Sequence, residues 1–134
     1  GRGPEENYHD RDKGARFGIY KFKAGDNLTP YLNPQECGLR CDVRYAKITN
    51  ADKHGIRIEK AEAPFDLKVL AHSGAEIQSA YKINYLPPRR LTYIEVLGAT
   101  RGVGGDDSWG APVHDEFTVS GEHGQGVEFV FYGI

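Results

Sequence analysis

Methionine is absent from the 134 residues, tryptophan occurs once and cysteine twice. Lacking methionine, the sequence holds no initiator, and a fragment of a longer chain is the expectation. Long apolar runs are missing too: the longest, Phe129 to Tyr132, covers four residues, whereas a membrane-spanning helix needs about 20. The opening Gly1–Tyr8 stretch is polar and does not read as a signal peptide, so the expected location is the cytoplasm, or the periplasm for a longer parent. Seventeen Lys and Arg against nineteen Asp and Glu leave a net charge of −2 and a pI near 6.2. No basic surface therefore advertises nucleic acid or an anionic membrane as partner. With 39% apolar and 27% charged residues the chain can close a core, which excludes a disordered tail. Residues 1–134 read as one domain.

Signatures of common chemistries are missing as well. No Gly-x-Ser-x-Gly elbow and no phosphate-binding Walker loop appears. His9, His54, His72, His114 and His123 are scattered singly, with no His-x-His or His-Glu-x-x-His spacing, so neither a metal site nor a zinc protease is expected and a surface or turn role is favoured for each. Four extended steps between Cys37 and Cys41 cover about 13 Å, against the roughly 7 Å that a disulfide tolerates. Two buried free thiols are expected, as suits a reducing compartment. Asn27-Leu28-Thr29 is a formal glycosylation sequon read as chance. The run Gly102 to Asp107 looks like a dinucleotide loop, but Asp107 at its sixth position would repel a pyrophosphate.

What is present is glycine, 17 residues in 134, alongside many Tyr, Phe, Val and Ile. That pairing predicts short strands and tight turns. Phe65, Leu67, Val69 and Ala71 alternate with Asp66 and Lys68 and predict a half-exposed strand. Val127 to Tyr132 is apolar on both sides and predicts a nearly buried one. Further strands are expected at Ile56–Glu59, Leu91–Leu97 and Glu116–Ser120. In Arg40–Thr49 the alternation flips phase after Tyr45, which a bulge or two-sided burial would explain. One helix is expected. Ser73 and Glu76 form a capping-box pattern, Ile77, Ala80 and Tyr81 share a face, and Pro87-Pro88 bars continuation. The fold class is all-β: an antiparallel β-sandwich with one short helix.

Two regions stand out for function. Asp106 and Asp107 are neighbours, so in extended chain their carboxylates point apart and make a poor acid and nucleophile pair. An Asx-type role shaping the Gly102–Gly110 turn fits them better. Trp109, the lone tryptophan, follows in a polar, glycine-rich loop. A flat ring held there can stack on the apolar face of a pyranose, or it can plug the end of the core; composition and spacing leave both open. The charge-dense Glu5-Glu6-Asn7-Tyr8-His9-Asp10-Arg11 reads as a solvated loop with weak internal ion pairs.

Three motifs occur in order: Gly1-Arg-Gly-Pro-Glu-Glu-Asn-Tyr-His-Asp-Arg11, then Thr29-Pro-Tyr31 with Pro34-Gln-Glu-Cys-Gly38 and Arg40, then Gly102-Val-Gly-Gly-Asp-Asp-Ser-Trp-Gly110. Together they resemble the C-terminal part of the long bacterial β-galactosidases of glycoside hydrolase family 2, along essentially the whole chain. Cys37 departs from the Asn often found at that position. The resemblance implies half of a galactose-mutarotase-like supersandwich, the second half of the family's last domain. It implies no catalytic residue here, because the family's two catalytic glutamates lie in an upstream barrel, and no cofactor in this chain, because magnesium and sodium are bound by other domains. It further implies that Trp109 lines the active-site mouth and stacks on a β-galactoside, with Asp106, Asp107 and Ser108 as loop scaffold.

Three functional expectations follow. The leading one is a portion of a retaining β-galactosidase acting on terminal β-D-galactose, inactive alone and partnered by the rest of that chain or by a large catalytic subunit. The others are a free-standing carbohydrate-binding module and a purely structural or assembly domain.

Overall fold

The computed structural model describes residues 1–134. Eight strands form three antiparallel sheets, with one α-helix and three short 3-10 turns. The strands are β1 (Arg2–Gly3), β2 (Arg16–Phe17), β3 (Leu39–Val43), β4 (Tyr45–Thr49), β5 (Gly55–Lys60), β6 (Phe65–Leu70), β7 (Tyr93–Leu97) and β8 (Phe129–Gly133), and α1 spans Gly74–Ser79. Two three-stranded sheets, β3-β6-β7 and β4-β5-β8, make the layers, and β1 pairs with β2 beside them. The all-β antiparallel class with one short helix is borne out, in the form of a half sandwich.

The core between the layers comes from alternation. Ala46 and Ile48 stand opposite Ile58 and Ile56 across β4–β5, so all four share one face. They meet Phe65, Leu67 and Val69 of β6, with Val43, Ile94 and Val96 joining from its neighbours. The other face of β6 departs from expectation. Asp66 and Lys68 are only 5% and 8% exposed, because the N-terminal loop and the segment before β3 lie over that face. Lys68 survives burial through Glu36 at 3.1 Å and Glu95 at 2.7 Å. Burial pulls its pKa down, but the two carboxylates outweigh that and leave it raised.

The bulge expected after Tyr45 occurs earlier. Three steps of β3, from Arg40 to Val43, face two of β6, and Asp42 takes a positive φ of 57°. Leu39 and Cys41 thus pack against Tyr8 on the outer face, whereas Val43 turns into the sandwich. Helix α1 carries the expected capping box: Ser73 accepts from the Glu76 amide and the Glu76 carboxylate accepts from Ser73 N at 2.7 Å. Ile77 and Ala80 are buried, but Tyr81 is 71% exposed. The backbone turns extended at Ala80, before the two prolines can act, so Tyr81 leaves the helical face.

Two strand expectations fail. Glu116–Ser120 is not a strand; Asp115–Phe117 is a 3-10 turn. There the Thr118 hydroxyl and amide both donate to Asp115 O, which offers the backbone a local alternative to a ladder. The C-terminal strand forms, but as β8 it is exposed along its length rather than nearly buried. It pairs with β5 alone. Phe131 stands opposite Ile58, on the face that should be inside, yet it is 66% exposed and takes no part in the core between the sheets.

Candidate functional site

The site is the Trp109 loop and the structure that roots it. The charge-dense N-terminal segment is not solvated as expected: Asn7 and Tyr8 are buried. Asn7 Nδ2 donates to Arg2 O and Glu5 O, and Asn7 Oδ1 accepts from Cys41 N at 3.0 Å. Tyr8 packs with Leu39 and Cys41 while its hydroxyl donates to Glu36. Burial and the nearby carboxylates push the Tyr8 pKa up, so the phenol stays neutral. Glu6 accepts from Gly38 N and from the Tyr31 hydroxyl, each at 2.6 Å. Gly38 takes φ +82°, where a β-carbon would stand 2.8 Å from Leu70. Glu6 thereby fastens the segment from Tyr31 to Gly38 against the N-terminal loop.

Asp10 ties in the third motif. Its Oδ2 accepts from Gly104 N at 2.6 Å, across 94 positions of sequence. A side chain on Gly102 would meet the same carboxylate, and Gly102 N donates to Phe117 O at 2.8 Å. Residues 1–11, 29–40 and 102–110, well separated in sequence, therefore converge in space. Sequence reasoning missed Asp10, since nothing local announces a partner 94 residues away.

Beyond that root the loop is shaped by its own carboxylates. Asp107 Oδ1 accepts from Trp109 N at 2.7 Å and Ala111 N at 3.2 Å. Gly110 follows with φ +110°. Asp106 Oδ1 holds His114 Nε2 at 2.7 Å, and this hydrogen bond raises the His114 pKa. His114 was not singled out from the sequence. Ser108 is exposed. The Trp109 ring is 91% exposed, carried outward on a backbone held at both its amide and its root. Val113 is buried and returns the chain to the body of the domain.

Other side chains differ from expectation. His72 is buried and bonded to Pro87 O, so it is not a surface histidine, whereas His9 lies half-exposed in a turn and pairs with Asp66 at 2.8 Å. Asn27 is also buried, with its amide donating to Gly38 O and Val69 O, so the sequon is a structural asparagine. Both cysteines are buried and free, and burial raises the pKa of each thiol.

A family model described as the β-galactosidase small chain matches residues 1–131. The chain belongs to that family. It is 44% identical over 129 residues to a β-galactosidase of Halalkalibacterium halodurans, covering 96% of this chain and 12% of the relative. It is 42% identical over 119 residues to β-galactosidase BgaC of Bifidobacterium adolescentis, with 87% and 11% covered. A β-galactosidase of Lactobacillus delbrueckii subsp. bulgaricus is 37% identical over 130 residues, with 97% and 13% covered. The chain thus spans about an eighth of the length of these relatives and corresponds to a small, C-terminal-like domain. No helix is long and apolar enough to cross a membrane.

The cluster that brings three ligand atoms together, His9, Cys41 and Asp66, includes an imidazole and a thiol, whereas magnesium takes mainly oxygen ligands.

Proposed function

We propose that this chain is a non-catalytic sandwich portion of a retaining β-galactosidase, and that it lends Trp109 to the mouth of a galactoside-binding cleft completed by the rest of the enzyme. The observation that carries the reading is Trp109 itself: a 91% exposed indole on a loop fixed by Asp107 and Asp10. An exposed ring that the domain does not use for packing suits the apolar face of a pyranose, and a fixed loop keeps the ordering cost of binding low. Asp106, Asp107 and Ser108 serve as scaffold. The carboxylates beside Trp109 are committed, Asp106 to His114 and Asp107 to two backbone amides. Cleavage of terminal β-D-galactose therefore falls to a carboxylate pair in the remainder of the enzyme.

The partner surface follows from β8. Its outer edge is unpaired and Phe131 stands exposed on it, which suits continuation of the sandwich by the remaining part of the same chain or by a large subunit. Two free buried thiols suit a cytoplasmic enzyme. The test is turnover of a chromogenic β-galactoside by the 134-residue chain alone and after mixing with the remainder of the enzyme. The chain alone gives no hydrolysis and the mixture does. Hydrolysis by the chain alone, or galactose binding by it that Trp109→Ala abolishes, would favour an autonomous enzyme or a free-standing binding module instead.

A further inference from the structure

We propose that His9, Cys41 and Asp66 form a zinc site that fastens the N-terminal loop to the β3–β6 sheet. One ligand atom from each residue lies within 4.8 Å of the others. They arrive from three separate parts of the chain: the N-terminal loop, the bulged strand β3 and the central strand β6. Leu39 pairs with Lys68, so Cys41, two residues on, stays on the same outer face as Asp66, and the bulge at Asp42 then turns Val43 into the sandwich. Cys41 and Asp66 are buried and His9 is half-exposed, so the cluster is closed on the protein side and open toward water.

The donor set selects the metal. Nitrogen, sulfur and carboxylate oxygen together suit zinc, at bonds of about 2.0–2.3 Å, and a three-ligand site leaves the fourth position to water. Ligand atoms around a tetrahedral zinc stand about 3.3–3.7 Å apart. Without metal, His9 Nε2 and Asp66 Oδ2 are 2.8 Å apart and the Cys41 thiol donates to Asn7 O at 3.3 Å. Loading opens the His9–Asp66 hydrogen bond by a shift that a half-exposed loop side chain can make. The sulfur–zinc bond replaces the S–H bond, whose proton passes to solvent. The proton that His9 Nε2 gives to the Asp66 hydrogen bond moves to Nδ1 by exchange with solvent, so Nε2 meets the metal as the free nitrogen of a neutral imidazole, and no electron changes hands. Asp66 Oδ1 accepts from the Asp42 amide at 3.3 Å, which orients the carboxylate in the way outer contacts orient metal ligands. His9 immediately precedes Asp10, the anchor of Gly104, so the metal would also steady the root of the Trp109 loop.

The test uses the complete protein that carries this sequence, stripped with chelator and dialysed against zinc, beside His9→Gln and Cys41→Ser variants. Wild type holds one more zinc ion per chain than His9→Gln. With cobalt in place of zinc it gains a thiolate-to-cobalt charge-transfer band that Cys41→Ser lacks. Equal zinc content in wild type and His9→Gln overturns the site, and so does a cobalt spectrum with no sulfur band. Should Cys41→Ser fail to fold, His9→Gln, altered at a half-exposed loop position, decides the matter alone.

Discussion

Asn7 does more for this domain than its place in a charged run suggests. Its amide serves Arg2 O and Glu5 O, and its carbonyl oxygen takes the Cys41 amide of a strand 34 residues away. Asn7→Ala strands these buried groups and should cost about 1–3 kcal/mol in urea unfolding of the chain; a cost below about 0.5 kcal/mol would mean that the loop does not rest on it. This role is invisible in sequence because the partners are backbone groups, which carry no side-chain signature. The same limit hid Asp10. The two free thiols are legible, since four extended steps hold Cys37 and Cys41 about 13 Å apart, beyond the span of a disulfide. His114 gives a pH prediction. Its hydrogen bond to Asp106 raises its folded pKa, so the charged pair is complete below the ordinary histidine range and is lost as pH rises through the elevated value. Proton resonances of the ring should titrate above the usual histidine midpoint and return to it in Asp106→Asn. An unchanged midpoint in that variant would remove Asp106 as the cause. The pair is solvent-exposed, so little global stability should follow it.

At the scale of elements, what sequence reveals depends on how local the determinants are. The capping box of α1 was readable because Ser73 and Glu76 satisfy each other within one turn. Ser73→Ala should cost about 0.5–2 kcal/mol by thermal or urea unfolding, and no change would show that packing of Ile77 alone holds the helix. The hairpin β4–β5 was readable in part, through the alternation of Ile56 and Ile58 with Arg57 and Glu59. The alternation in strand β6 marks its place but not its cover, because what lies over Asp66 and Lys68 comes from the N-terminal loop and from Glu36, both remote in sequence. The shift of register in β3 was anticipated as a bulge, but its position depends on the pairing with β6 and not on β3 alone. Glu116–Ser120 failed because Thr118 bonds back to Asp115 O, a local competition that an alternation pattern does not express.

For the whole molecule, the mismatch at β8 is informative. Phe129 to Tyr132 has the composition of a covered strand, yet the chain leaves it open on one edge and exposed on both faces. On the function proposed above, the remainder of the enzyme lays a further layer over Phe131, and that cover would reconcile the composition with the exposure. Phe131→Asp should leave unfolding of the chain within about 0.5–1 kcal/mol of wild type while abolishing its co-purification with the remainder of the enzyme. Undiminished association would show that β8 is not the seam.

The role proposed for this domain is to contribute a sugar-stacking indole and no cutting groups. It is tested most directly by Trp109→Ala in the assembled enzyme, with kcat and KM for a β-galactoside measured beside the melting temperature. On the scale of an aromatic stacking contact, about 0.5–1.5 kcal/mol, KM should rise roughly 2- to 12-fold. The melting temperature should hold, because the exposed ring supports no packing in this domain. An unchanged KM, or a loss of folding in place of a loss of affinity, would contradict the account.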